Sequence, residues 1–137
     1  MKPEIWGYHA WIFLHSITLE YPDNPTIEDK KNMINFINSL QYVLPCLKCR
    51  INFQSHLKKY PLNENILSSK KNLVKWLIDI HNSVNKLNDK KELSYEEALR
   101  NILNHYEKNN IKNMIIIYVI LIIIIMAFLI FLFKKFT

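Results

Sequence analysis

The chain has 137 residues, enough for one domain and a short appendage. Its net charge of +6 comes from scattered Lys and Arg, with no basic stripe interleaved with aromatics, so nucleic acid is not an expected partner. A single glycine excludes Gly-rich phosphate loops and dinucleotide fingerprints and points towards helices.

A first helix is expected from Pro3-Glu4 to Tyr21, because Trp6, Ala10, Phe13, Leu14, Ile17 and Tyr21 recur at helical spacing. Trp11 and His15, one turn apart, project beside that stripe. Pro22 and Pro25 then break the chain. Thr26-x-x-Asp29 has the form of a capping box and opens a second helix to about Val43, with Ile27, Met33, Phe36, Ile37 and Leu40 facing inward. Pro45 is expected to open a third helix carrying Cys46, Cys49, Phe53 and Leu57. Lys58 to Asn65 reads as a loop. Ser68 or Ser69 caps a fourth helix to about Leu87, with Leu73, Trp76, Leu77, Ile80, Val84 and Leu87 as its apolar face. Trp6 and Trp76 read as core residues. A turn at Asn88 to Lys91 and a cap at Ser94-x-x-Glu97 place a fifth, short helix reaching about Tyr106. No segment has strand period. The expected fold is all-α, a five-helix bundle of a four-helix core plus a short fifth helix.

The last stretch is different in kind. Met114 to Phe133 gives 20 consecutive residues without a charge, about the ~20 that cross a bilayer core. A body of this size could not cover such a helix on all sides, so a C-terminal transmembrane helix is expected. The expected organisation is a domain at 1–107, a spacer at 108–113, a span at 114–133 and a short tail at 134–137. Met1-Lys2-Pro3-Glu4 has no apolar run of a signal peptide. Only Lys134-Lys135-Phe136-Thr137 follow the span, too few for ordinary co-translational insertion, so a single-pass tail anchor with the domain in the cytosol is expected. The lysines flanking the span do not decide orientation.

Cys46 and Cys49 are the only cysteines. In the first turn of a helix their sulfurs meet unpaired N–H groups and the positive end of the macrodipole, which stabilise a thiolate. Three chemistries compete for them. A structural zinc site needs two more ligands, and His9, His15, His56, His81 and His105 contain no HxxxH pair. A structural disulfide closing so small a loop constrains the unfolded chain little. A redox-active dithiol fits best. Thioredoxin-type strands are absent, so the oxidant must lie elsewhere, and a flavin is the obvious candidate.

Three ordered motifs now carry a family resemblance. Trp6-Gly7-Tyr8-His9-Ala10-Trp11-Ile12-Phe13-Leu14-His15 is followed by Tyr21-Pro22, then by Pro45-Cys46-x-x-Cys49 with Phe53 and Leu57, then by His81-Asn82-Ser83-Val84-Asn85-Lys86. Together, over Trp6 to Tyr106, they resemble the Erv/ALR family of FAD-linked sulfhydryl oxidases. Each motif alone has a plainer reading: Trp11 and His15 as core packing, and His81, Asn82 and Asn85 as a polar helix face.

The resemblance implies an enzyme that binds FAD and catalyses 2 R–SH + O₂ → R–S–S–R + H₂O₂. It implies that Trp11 and His15 pack on the isoalloxazine with Tyr21 nearby. His81, Asn82, Asn85 and Lys86 would then surround the adenosine and diphosphate, with Gly7, Tyr8 and Val84 completing the cofactor set. Cys46 would exchange with the substrate dithiol through a mixed disulfide, and Cys49 would face the flavin. No metal is implied. Many relatives carry Arg where this chain has Tyr8, and Tyr95 is only a loose counterpart of an adenine-stacking aromatic. There is no second CxxC to relay electrons, so a protein thiol substrate or thiol carrier protein must reach Cys46 directly. Homodimers are typical of the family. A cytosol-facing oxidase in a reducing compartment resembles those of large cytoplasmic DNA viruses, placing the protein in a host or virion membrane. Two other functions stand against this one: a membrane-tethered helical interaction module, and a zinc-binding adaptor.

Overall fold

The computed structural model describes residues 1–136; Thr137 and the side chains of residues 108–110, 128, 133, 135 and 136 lie outside the described residues. Five helices follow in order: α1 (Pro3–Leu19), α2 (Ile27–Val43), α3 (Leu47–Lys59), α4 (Lys70–Leu87) and α5 (Tyr95–Phe136), with a 3₁₀ turn at Ile66–Ser68 before α4. No strand occurs among the described residues. The chain divides into two compact units, Met1–Ala98 and Leu99–Thr137.

The caps are chemically explicit. At α2, Asp29 Oδ2 accepts from the Thr26 N–H at 2.8 Å while Thr26 Oγ1 accepts from the Asp29 N–H at 3.1 Å, completing the capping box. The Thr26 hydroxyl also donates to Asp29 Oδ2 at 2.7 Å, and that bond, with the one from the Thr26 N–H, holds the Asp29 carboxyl below its ordinary pKa. Ser69, not Ser68, caps α4 through Oγ and the Asn72 N–H. That helix ends in a Schellman-type turn, with Lys90 N–H on the Asn85 carbonyl and Asp89 N–H on the Lys86 carbonyl. Asp89 takes the left-handed conformation this turn requires (φ 52°). At α5 the Ser94 and Glu97 pair repeats the capping box, and its hydrogen bonds with Lys91 nearby bring Glu97 down to about 2.

The core of the first unit gathers Leu14 from α1, Met33 and Ile37 from α2, Phe53 from α3, Leu67 from the 3₁₀ turn, and Leu73, Trp76, Leu77 and Ile80 from α4. Tyr21 joins it, donating its hydroxyl to the Leu67 carbonyl at 3.1 Å, and Trp76 Nε1 donates to the Tyr60 carbonyl at 2.9 Å. Each buried aromatic thus satisfies its polar atom on a loop carbonyl.

Several expectations need correction. α1 ends at Leu19, so Tyr21 enters the core from the turn. Ile27 is 87% exposed because it is the first residue of α2, beyond the reach of its packing neighbours. Phe13 is 60% exposed, meeting only the edge of the bundle through Phe36, and Leu87 is exposed in the last turn of α4. Pro45 precedes α3 instead of opening it. Leu44, held extended by the following proline, is the C-cap of α2, and Cys46 is the N-cap of α3.

α5 does not stop near Tyr106. It continues as one 42-residue helix through the expected spacer, because no proline or glycine interrupts it. Its apolar stretch is long enough to cross a membrane and is not buried inside the protein.

Candidate functional site

The first functional group is built at the start of α3. Cys46 adopts extended backbone (φ −150°, ψ 120°), and its Sγ accepts the Cys49 N–H at 3.2 Å. The sulfur therefore occupies the place usually held by a Ser or Asp oxygen at a helix N-terminus. Cys46 and Cys49 are disulfide-bonded with Cα atoms 5.1 Å apart. Both are half-buried, and exposed Tyr42, Val43, Leu47 and Ile51 flank them in sequence. The chemistry available here is thiol–disulfide exchange, with a Cys46 thiolate favoured by the N–H it accepts and by the helix dipole.

The second group joins α1 and α4, 66 residues apart in sequence. The rings of Trp11 and His81 stack at 3.9 Å with 6° between their planes. His15 closes the group: its Nε2 lies 3.1 Å from His81 Nδ1, so one imidazole donates to the other. Burial holds both rings neutral, with pKa values of about 4; at His81 the charges of His15 and then Lys90 add to the effect. His15 is only 3% exposed, and its Nδ1 is buried without a protein partner. One face of Trp11 is taken by His81, so a flat ring system would lie against the other face of either ring.

The remaining predicted residues divide by what they touch. Asn82 is committed to the protein: Oδ1 accepts the Leu93 N–H at 3.0 Å and Nδ2 donates to the Leu93 carbonyl at 2.8 Å, fastening the segment before α5. Val84 and Asn85 are half-buried, and their carbonyls accept from the turn at Asn88 and Lys90. Lys86 is exposed, 3.7 Å from the Glu92 carboxylate. Tyr8 is exposed and edge-on to His9. A Cβ at Gly7 would meet no atom within 4 Å, so the bundle itself does not require glycine there.

Tyr21 lines a cleft of about 310 Å³ with Ile17, Met33 and Phe36. Tyr95 lines another of about 380 Å³ with Tyr60, Lys75, Trp76 and Asp79. It donates to Asp79 Oδ1 at 2.7 Å, and that hydrogen bond with burial pushes its pKa up to about 12. Trp11, His15 and His81 line neither cleft. The structure therefore brings Trp11, His15 and His81 together and leaves Tyr21, Asn82 and Lys86 on separate tasks.

One pair escaped the sequence reading. His56 of α3 is 5% exposed, and its Nδ1 lies 2.7 Å from Ser83 Oγ of α4, while its Nε2 is buried and unpartnered. Burial, then the charge of Lys59, lowers its pKa. The available signal was its spacing of seven from Cys49, two helical turns along the same face. Among the described residues no group of three or more His, Cys, Asp or Glu is placed to hold a metal.

A flat, mostly apolar cofactor with polar edges fits this donor set. It finds aromatic faces at Trp11 and His81, and neutral imidazoles whose unpaired nitrogens lie on two different helices.

Comparison with known proteins gives the site its context. A family model described as the Erv1 / Alr family matches residues 8–107. The probable FAD-linked sulfhydryl oxidase R368 of Acanthamoeba polyphaga mimivirus is 57% identical over 102 residues, covering 74% of this chain and 71% of that protein. An FAD-linked sulfhydryl oxidase of African swine fever virus is 33% identical over 109 residues, covering 80% of this chain and 86% of its own length. The crystal structure of the FAD binding domain of Erv1 from Saccharomyces cerevisiae superposes with a TM-score of 0.65 at 29% identity, covering 70% of this chain and 89% of that one. The chain spans 41% and 63% of the length of two further curated relatives.

Proposed function

The chain belongs to the Erv1/Alr family, and from that premise we propose how it acts as an FAD-linked sulfhydryl oxidase. The observation that carries the reading is the Cys46–Cys49 disulfide at the start of α3, with Cys46 as the cap. A substrate thiolate attacks Cys46 Sγ, the Cys46–Cys49 bond breaks, and Cys49 leaves as a thiolate. The second substrate thiol then attacks the mixed disulfide, forming the substrate's disulfide and releasing Cys46 as a thiolate held by the Cys49 N–H. The substrate has lost two electrons, and Cys46 and Cys49 hold them as a dithiol.

Bound FAD would take those two electrons and deliver them to O₂, giving H₂O₂. Trp11 and His81 would offer it a flat face, His15 would stay uncharged beside it, and Val84 and Asn85 would border it. Asn82 acts from behind, by fixing Leu93. Gly7 leaves open space, and Tyr8 and Lys86 stand at the solvent edge.

Residues 1–107 form the catalytic domain in this reading, supported by the family match and by the compact unit ending at Ala98. Residues 114–133 anchor it in a host or virion membrane with the domain facing the cytosol, supported by the length and composition of the helix and by the viral relatives. The substrate is a protein dithiol or a thiol carrier protein, since no second dithiol of the chain can act as relay, and the active species is a homodimer. The test is an absorption spectrum of the purified protein. A band near ~450 nm, released as FAD on denaturation, is expected, together with loss of thiol-dependent oxygen uptake in Cys49→Ser. A folded, colourless protein that cannot be reconstituted with FAD overturns the reading.

A further inference from the structure

The His56–Ser83 pair has no task in the exchange chemistry, yet it is placed and paired in an uneconomical way for simple packing. The ring is 5% exposed, one nitrogen is tied to α4 at 2.7 Å, and the other is buried with nothing to bond. A polar atom left in that condition is destabilising, and a leucine would fill the space without the penalty. In a native protein such an atom calls for a reason, and a bound group that completes it is one.

Register says which group. At 100° per residue, Cys49 and His56 point within about 20° of one another, with Phe53 between them. His56 therefore stands on the same stripe of α3 as the flavin-facing cysteine. On α4, the inward stripe at Ile80 and Val84 is bordered by His81 on one side and Ser83 on the other, each about 80° away. His81 reaches α1 through His15 and Trp11, and Ser83 reaches α3 through His56. The two buried imidazole nitrogens without partners, His15 Nδ1 and His56 Nε2, thus belong to the two helices that meet α4 on either side of its inward stripe.

We propose that His56 is a further FAD-contacting residue, oriented by Ser83 so that its Nε2 hydrogen-bonds a polar atom of the flavin ring system on the Cys49 side. The inference rests on the oxidase reading and adds a cofactor contact from α3. Ser83 is the positioning residue: its hydroxyl selects the ring orientation and the tautomer, and so decides whether Nε2 donates or accepts.

The test uses the full chain in detergent micelles, loaded with FAD. Four proteins are compared: the wild type, Ser83→Ala, His56→Gln, and the double variant His56→Leu with Ser83→Ala. FAD release after dilution is followed by the rise in flavin fluorescence, and helix content by circular dichroism on the same samples. The double variant is expected to release FAD about tenfold faster, the equivalent of one hydrogen bond, with wild-type helix content. Ser83→Ala should fall between the two, and His56→Gln should recover part of the loss. Release within twofold of wild type in every folded variant overturns the proposal. If the double variant does not fold, Ser83→Ala decides by the same criterion. A wild-type chain that takes up no FAD overturns the oxidase reading itself, a separate outcome.

Discussion

The two halves of the site are built on opposite principles. The aromatic group of Trp11, His15 and His81 is assembled from two helices, buries His15 behind the half-buried rings of Trp11 and His81, and holds its imidazoles uncharged. The start of α3 is assembled from a single tetrapeptide and is half-open, with exposed Leu47 and Ile51 beside it. The first half suits a resident group that stays bound through many turnovers. The second suits a visitor that must arrive, exchange and leave. A dithiol oxidase needs both, because its cofactor is held while its substrate is not.

The comparison breaks most completely at the cysteines. Cys49→Ser should reduce thiol-dependent oxygen uptake to background, while Cys46→Ser should do the same yet leave α3 intact, since a serine oxygen replaces the capping sulfur. Equal far-UV circular dichroism in the two variants checks that second half. Inside the bundle the cost moves from chemistry to stability. Ile80→Ala should destabilise the protein by about 2–5 kcal/mol through the cavity it leaves, whereas Ile51→Ser on the open rim should stay within about 0.5 kcal/mol. Urea midpoints of the two variants measure the contrast.

Acid provides a subtler way to separate the halves. His15 and His81 have folded pKa values near 4 against an ordinary 6.5, so the unfolded chain binds protons first as pH falls. Stability from these rings should be constant above about pH 6.5 and decline between pH 6.5 and 4, by up to about 3 kcal/mol from His15 alone. Melting temperature against pH checks the sign, and a flat profile would place both rings in water. The smallest effect belongs to a cap remote from either half: Thr26→Ala should cost about 1 kcal/mol and leave FAD retention unchanged.

Much of this was legible in local chemistry. Thr26 with Asp29 and Ser94 with Glu97 are caps that any helix in water would use, and both form. The apolar spacing of Leu73, Trp76, Leu77 and Ile80 placed the buried face of α4 correctly. The misreadings lie where a neighbour decides. Ile27 and Phe13 carry the right period but stand at an end and an edge, with too little protein over them. Asn82 reads as a polar surface residue, yet its amide matches the backbone of Leu93, a partner that only the return of the chain towards α5 supplies.

By itself the sequence determined the helices, the dithiol, the long apolar segment and, through three ordered motifs, the family. These are local or additive properties: a cap, a period, a spacing, a run of apolar residues. Only the tertiary structure decided that Cys46 caps α3, that Trp11 lies against His81 with His15 bonded behind it, and that His56 is buried with one nitrogen on Ser83 and the other unpaired. The two imidazole partnerships join helices distant in sequence, and burial sets the charge of their rings. No periodicity in the chain encodes how two helices will be turned towards each other.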